Sequence, residues 1–193
     1  MIAILLNDAS FEQDIRELLM AFYPGETFTH KEEEAGEADL IVRGVRDGNS
    51  FSLDVTPVKK EAVHFALIYP DFSNRFETKN EIKQTLYRLL SAQTGRELPW
   101  GTLTGIRPTK IALTKLYDGW TDEQIETYMC ETYFTSKEKI DLSIDVAERE
   151  RRLLSTIDYE NGYSLYVGIP FCPTTCLYCS FTSFPIVKWE KRM

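Results

Sequence analysis

At 193 residues, 43% hydrophobic and 27% charged, the chain can bury a core in one domain or one and a fraction, and its composition excludes intrinsic disorder. A formal net charge of −8 argues against nucleic acid as the main partner, although a small anion in a local basic pocket is compatible with it. No charged segment leads into a leader-like apolar stretch and no apolar run reaches membrane-span length, so the sequence predicts a protein without a membrane span, in the cytoplasm, where thiols stay reduced.

In chain order, Ile2 to Leu6 is a short continuous apolar run that predicts a strand, broken at Asn7 and Asp8. Ser10 and Gln13 stand in capping-box spacing ahead of Phe11, Ile15, Leu18, Leu19 and Phe22 at helical intervals, and Pro24 and Gly25 close the helix. The acidic stretch Lys31 to Asp39 predicts a solvated loop. Three β-like runs follow, Leu40 to Val45, Phe51 to Val55 and Val63 to Tyr69, with a hairpin signal at Asp47, Gly48 and Asn49. A second helix is predicted from about Thr78 to Gln93, with a Thr78/Glu81 capping box, Ile82, Leu86, Leu89 and Leu90 on one face, and Gly95 as its stop. Residues 1–95 therefore predict an α+β module, a small sheet packed on helices.

Residues 96–158 predict a helical connector. Pro108 suits the first turn of a helix carrying Ile111, Leu113, Leu116 and Tyr117 and ending at Gly119. Thr121 and Gln124 cap a helix with Ile125, Tyr128 and Met129, in which Cys130 is expected as a core residue. Ser136 starts a longer helix through Ile140, Ile144, Ala147 and Leu154, and Asp158 to Gly162 predicts a turn. Within the connector, Thr104 to Lys110 sets Arg107 and Lys110 near a helix N-terminus, where an anion such as a carboxylate is favoured. The alternative is that Gly105 and Pro108 shape a turn and both cations face solvent or the acidic surface.

Residues 159–193 carry the most specific signal. The apolar run Leu165 to Ile169 predicts a buried strand, and directly after it Cys172, Cys176 and Cys179 stand in C-x3-C-x2-C spacing. Three thiolates on one tight loop make a tripod that can hold three irons of a cubic 4Fe-4S cluster and leave the fourth iron open, sulfur being the soft donor such clusters take. A structural zinc site would need a fourth ligand, and His30 and His64 lie far upstream. A disulfide would leave one of the three cysteines over.

The run LYVGIPFCPTTCLYC, with its approach to the first cysteine and the aromatic before the last, resembles the cluster loop of the radical S-adenosylmethionine (SAM) enzymes. Within them it resembles the oxygen-independent coproporphyrinogen III oxidases, also called coproporphyrinogen dehydrogenases. Upstream, LTGIRPTKI at Leu103 to Ile111 resembles the N-terminal extension of their HemZ-type branch. The resemblance implies that Cys172, Cys176 and Cys179 ligate the cluster, that Tyr166 contacts SAM, and that Tyr178 lies beside its adenine. The two tyrosines are equally compatible with ordinary strand and loop packing.

The chemistry implied is reductive cleavage of SAM to a 5′-deoxyadenosyl radical and oxidative decarboxylation of coproporphyrinogen III to protoporphyrinogen IX in haem biosynthesis. It would need a low-potential electron donor such as flavodoxin or ferredoxin. Phe181 stands where the best-known members carry a further cysteine, and Gly168 where they carry a histidine. Those departures bear on the substrate more than on the cluster, and leave open a haem-binding chaperone relative without oxidase activity or a radical SAM enzyme of another substrate. The resemblance also implies a partial (β/α) barrel of about six βα units of roughly thirty residues each. The residues after Gly162 suffice only for its first strand, the cluster loop and the start of a helix, so the chain is expected to be truncated, its segment after Gly162 poorly packed with at most a loosely held cluster, and not to cleave SAM alone.

Overall fold

A computed structural model of the chain describes residues 1–58, 63–105, 107–158, 161–174, 176–177, 179–181 and 183–186. The protein is α+β and divides into two compact units, Met1–Leu153 and Leu154–Met193.

The first unit is built on a five-stranded mixed sheet made of β1 (Ile2–Leu6), β2 (Phe28–Thr29), β3 (Leu40–Asp47), β4 (Ser50–Pro57) and β5 (His64–Ile68), in the order β2-β1-β3-β4-β5. β1 runs parallel to both its neighbours, while β3, β4 and β5 form an antiparallel meander. Sequence texture follows from position. β1 is covered on both faces and reads as unbroken apolar residues, whereas β4 alternates, burying Phe51, Leu53 and Val55 and turning Ser52, Asp54 and Thr56 outward. Gly48, at φ +57°, makes the expected tight turn between β3 and β4.

Helices α1 (Glu12–Phe22) and α2 (Arg75–Thr94) cover one face, with Ile15, Leu18, Leu19 and Phe22 of α1 meeting Ile82, Leu86 and Leu90 of α2 over the sheet. Both helix starts differ from expectation. Asp8, not Ser10, supplies the capping oxygen, and it accepts the Ser10 N–H at 2.9 Å at the head of a 3₁₀ turn leading into α1. Asn74 caps α2 one turn before Thr78, whose hydroxyl instead donates to the Asp71 carbonyl at 2.7 Å and is buried. The acidic stretch is not simply a solvated loop. Glu32–Glu37 forms a 3₁₀ segment whose Ala35, with Ala38 just beyond, packs on Ala3 and Leu5 and closes the other face of β1.

Helices α3 (Thr109–Tyr117), α4 (Asp122–Tyr133) and α5 (Lys137–Leu154) form a bundle with its own core of Ala112, Leu116, Ile125, Met129, Ile140 and Ala147. The expected Thr121/Gln124 capping box opens α4. Cys130, expected in the core, is exposed, because its helix turns Ile125, Met129 and Tyr133 inward instead. The bundle shares a wall with α2: Gln84 Nε2 donates to the carbonyls of Glu131 and Thr132 at 3.2 and 2.8 Å, and the Tyr87 and Phe134 rings meet at 5.6 Å. Among the described residues, no helix is long and apolar enough to cross a membrane.

Candidate metal centre

In the second unit the backbone after α5 makes the expected turn, where the Asp158 carbonyl accepts the Gly162 N–H at 2.9 Å and its carboxylate accepts the Asn161 N–H at 3.1 Å. The run Leu165 to Ile169 then departs from the expected buried strand: it carries no ladder, and its large side chains are exposed. A strand with both faces and both edges uncovered gains neither ladder bonds nor burial, which is what stabilises extended backbone. Regular pairing starts later, at β6 (Phe171–Cys172), which runs parallel to β7 (Phe184–Pro185).

That short ladder closes the base of the cysteine loop. The Pro170 carbonyl accepts the Phe184 N–H at 2.7 Å, and the Phe171 and Phe184 rings lie 6.2 Å apart across the strand pair. Cys172 sits on the ladder, and Cys176 and Cys179 lie in the loop, where the Cys179 N–H bonds to the Cys176 carbonyl at 3.0 Å in a turn-like i to i+3 contact. All three thiols are free, Cys176 exposed and the other two half-buried. The Cys179 Sγ is 3.9 Å from the Phe181 carbonyl. The loop brings the three cysteines into one short closed segment, yet no group of three His, Cys, Asp or Glu side chains among the described residues is gathered as a metal cage. The donor set fits a soft metal or an iron–sulfur cluster in number, chemistry and accessibility, with sulfurs that must be brought together to hold it.

Tyr166 is exposed, its ring folded back over Gly168 so that a Cβ there would stand 2.9 Å from Tyr166 Cε1. Glycine at 168 is what leaves room for this ring position. Tyr178 lies outside the described residues. Cys130 belongs to α4 of the first unit and is no part of this loop.

The basic pair of the connector has a plainer fate. Arg107 donates to Glu150 Oε1 at 2.8 Å, and Lys110 is exposed on the first turn of α3. The polar contacts of that segment come instead from Thr104. Its hydroxyl donates to Glu17 Oε2 at 2.9 Å and accepts from Lys83 Nζ at 2.9 Å. Lys83 is not among the candidate residues above, although a lysine next to Ile82 and one turn before Leu86 in a helix with an apolar face is a visible irregularity of the sequence.

Among curated proteins, the oxygen-independent coproporphyrinogen-III oxidase-like protein HemZ of Bacillus subtilis (strain 168) is 36% identical to this chain over 135 residues. The match covers 68% of the chain and 26% of the relative, so the chain spans about a quarter of that protein's length. No family model matches the chain, and no solved structure matches it.

Proposed function

We propose, on the premise that this chain belongs to the HemZ-like branch of the oxygen-independent coproporphyrinogen-III oxidase-like proteins, that it is the N-terminal part of a radical SAM oxidoreductase of porphyrin biosynthesis. The observation that carries the reading is the set of three free cysteines on β6 and the loop that β6 and β7 close. In this reading Cys172, Cys176 and Cys179 hold a 4Fe-4S cluster, and Tyr166 and Tyr178 flank the SAM that binds it. A cluster and SAM bound there would supply the low-potential electron and the reactive fragment for oxidative decarboxylation of a coproporphyrinogen propionate.

The chain's own contributions are ligation and positioning. Each thiol gives up its proton on ligation, which makes loading pH-dependent. The Pro170–Phe184 bond and the β6–β7 ladder fix the two ends of the loop, and the Cys176–Cys179 turn sets the spacing of two of its ligands. The electron donor would be a flavodoxin- or ferredoxin-type protein and the setting the cytoplasm. The SAM- and substrate-binding strands of a (β/α) barrel would come from sequence beyond this chain, since such sites gather residues from several strand ends.

Anaerobic reconstitution with iron and sulfide tests the reading directly. The wild-type chain should take up about four irons, the count of one cubane cluster, with the visible charge-transfer absorption of iron–sulfur coordination. Cys176→Ala should take up none in cluster form, and equal uptake by that variant would overturn the assignment. Turnover of coproporphyrinogen by a full-length protein with SAM and reductant then separates an oxidase from a haem-binding relative.

A further inference from the structure

The first unit holds a cavity that the proposed chemistry does not use. It opens between α1, α2 and the segment 102–105, and encloses about 250 Å³. Sites for drug-sized ligands run from about 300 to 1,000 Å³, so this one suits something smaller.

Two polar side chains of its wall are buried further than such groups ordinarily are without full partnering. Asn80 is 8% exposed and Lys83 7%. Among the described residues nothing bonds to the Asn80 amide, and Lys83 spends one of its three N–H donors, on Thr104. Across the cavity on α1, Glu17 is committed: one carboxylate oxygen accepts from Thr104 and the other from Gln13 Nε2 at 3.0 Å. Asp14, one turn earlier on the same helix, lines the cavity and has no hydrogen bond or ion pair among the described residues. Phe76, Leu103 and Ile111 supply apolar wall, and Lys79 sits at 6.0 Å from the Phe76 ring centre.

The charges decide what can bind. Lys79 and Lys83 face Asp14 and Glu17, so the lining is balanced, and a simple anion would enter beside two carboxylates. What stands open is a donor pair on α2 and an acceptor on α1. Asp14 is close enough for its charge to act on Lys83, where with Glu17 it partly offsets the effect of burial on the ammonium. A small molecule that carries both a carboxylate and an ammonium answers both sides at once, and a short aliphatic arm suits the apolar wall.

We propose that this cavity is a binding site for a small zwitterion, an aliphatic α-amino acid, its carboxylate on Lys83 and Asn80 and its ammonium on Asp14. The site stands on residues of the first unit alone and does not depend on the cysteine loop.

Isothermal titration of the 193-residue chain with L-leucine, L-methionine, propionate and isobutylamine tests it. At least one of the two amino acids should bind saturably at one per chain with a Kd below about 1 mM, and propionate and isobutylamine, each meeting one side of the cavity, about tenfold or more weakly. Asn80→Ala and Asp14→Asn should each weaken amino-acid binding about tenfold or more. Asp14 is half-exposed, so its variant keeps the test available should Asn80→Ala fail to fold. No saturable binding of either amino acid overturns the proposal, as does binding that survives the variants. Propionate binding as tightly as leucine overturns the zwitterion assignment.

Discussion

The space that a Cβ on Gly101 would need is taken by the peptide oxygen of Tyr133, which also accepts the Thr102 N–H at 2.7 Å. Gly101 holds φ +56°, so its missing side chain serves both the turn and the approach of α4. Gly101→Ala should therefore destabilise the first unit by about 2–4 kcal/mol, combining left-handed strain with a backbone clash. Gly36→Ala, at a position with open space and ordinary φ, should stay within about 0.5 kcal/mol. Urea denaturation of both variants decides this, and similar midpoints for the two would sink the argument.

Burial holds the Lys83 ammonium below the ordinary lysine value of 10.5, against the opposing pull of Asp14 and Glu17. Below its folded pKa the charged, desolvated group costs stability. Between that pKa and 10.5 the unfolded chain keeps a proton that the folded chain has released, so the cost shrinks as pH rises through the window. Wild-type stability should accordingly gain on that of Lys83→Met between neutral pH and 10.5. Parallel stability curves over that range would show that Lys83 is solvated in the folded chain.

Thr104→Val keeps the shape of the side chain and removes the hydroxyl between Lys83 and Glu17. The expected loss is about 1–3 kcal/mol, the scale of a buried polar group stripped of a partner. Burial pushes the Glu17 carboxyl up, but its bonds from Gln13 and Thr104 and the charges of Lys83 and Arg16 outweigh that and leave it below 4.5. That contribution to stability is present above 4.5 and is lost as pH falls through the folded pKa. In the variant the carboxyl should titrate higher, read by carbon NMR of the Glu17 side chain, and an unmoved titration would mean that Thr104 does not hold the charge.

Alkylation reports on the cysteines without any assay of turnover. In the metal-free chain Cys130 and Cys176, both exposed, should react first. After reconstitution Cys172, Cys176 and Cys179 should be protected together while Cys130 stays reactive, as mass spectrometry of the alkylated peptides would show. Protection of Cys130 alongside the other three would point to non-specific iron binding.

Local chemistry was legible where it was self-contained. The Ile2–Leu6 strand, the Gly48 hairpin, the Thr121/Gln124 box and the turn at Asp158 each depend on residues a few positions apart, and each is found. The sequence places the start of α2 at Thr78, one turn late: Asn74 caps the helix, and the Thr78 hydroxyl donates to the Asp71 carbonyl instead. The strand expected at Leu165 to Ile169 has the right residues but no strand to pair with among the described residues. The contact between Thr104 and Glu17 joins positions far apart in the chain, which no window of sequence displays. The cysteine loop is legible in its spacing and in the resemblance of the run around it, and its closure by Phe171 and Phe184 appears only in three dimensions.

The parallel pairing of β1 with β3 sets an order of assembly. Ile2 must find Leu40 across the whole of α1 and the 3₁₀ segment, whereas β3 meets β4 through a two-residue turn. Closing the longer loop loses more chain entropy before any contact offsets it, so the β3–β4–β5 meander should be formed in the folding transition state and β1 should join afterwards. Leu53→Ala, in the meander, should then slow folding, while Ile4→Val, in the late strand, should leave the folding rate nearly unchanged and speed unfolding. Stopped-flow folding and unfolding arms of the two variants would separate these effects, and a slowed folding arm for Ile4→Val would place β1 in the nucleus instead.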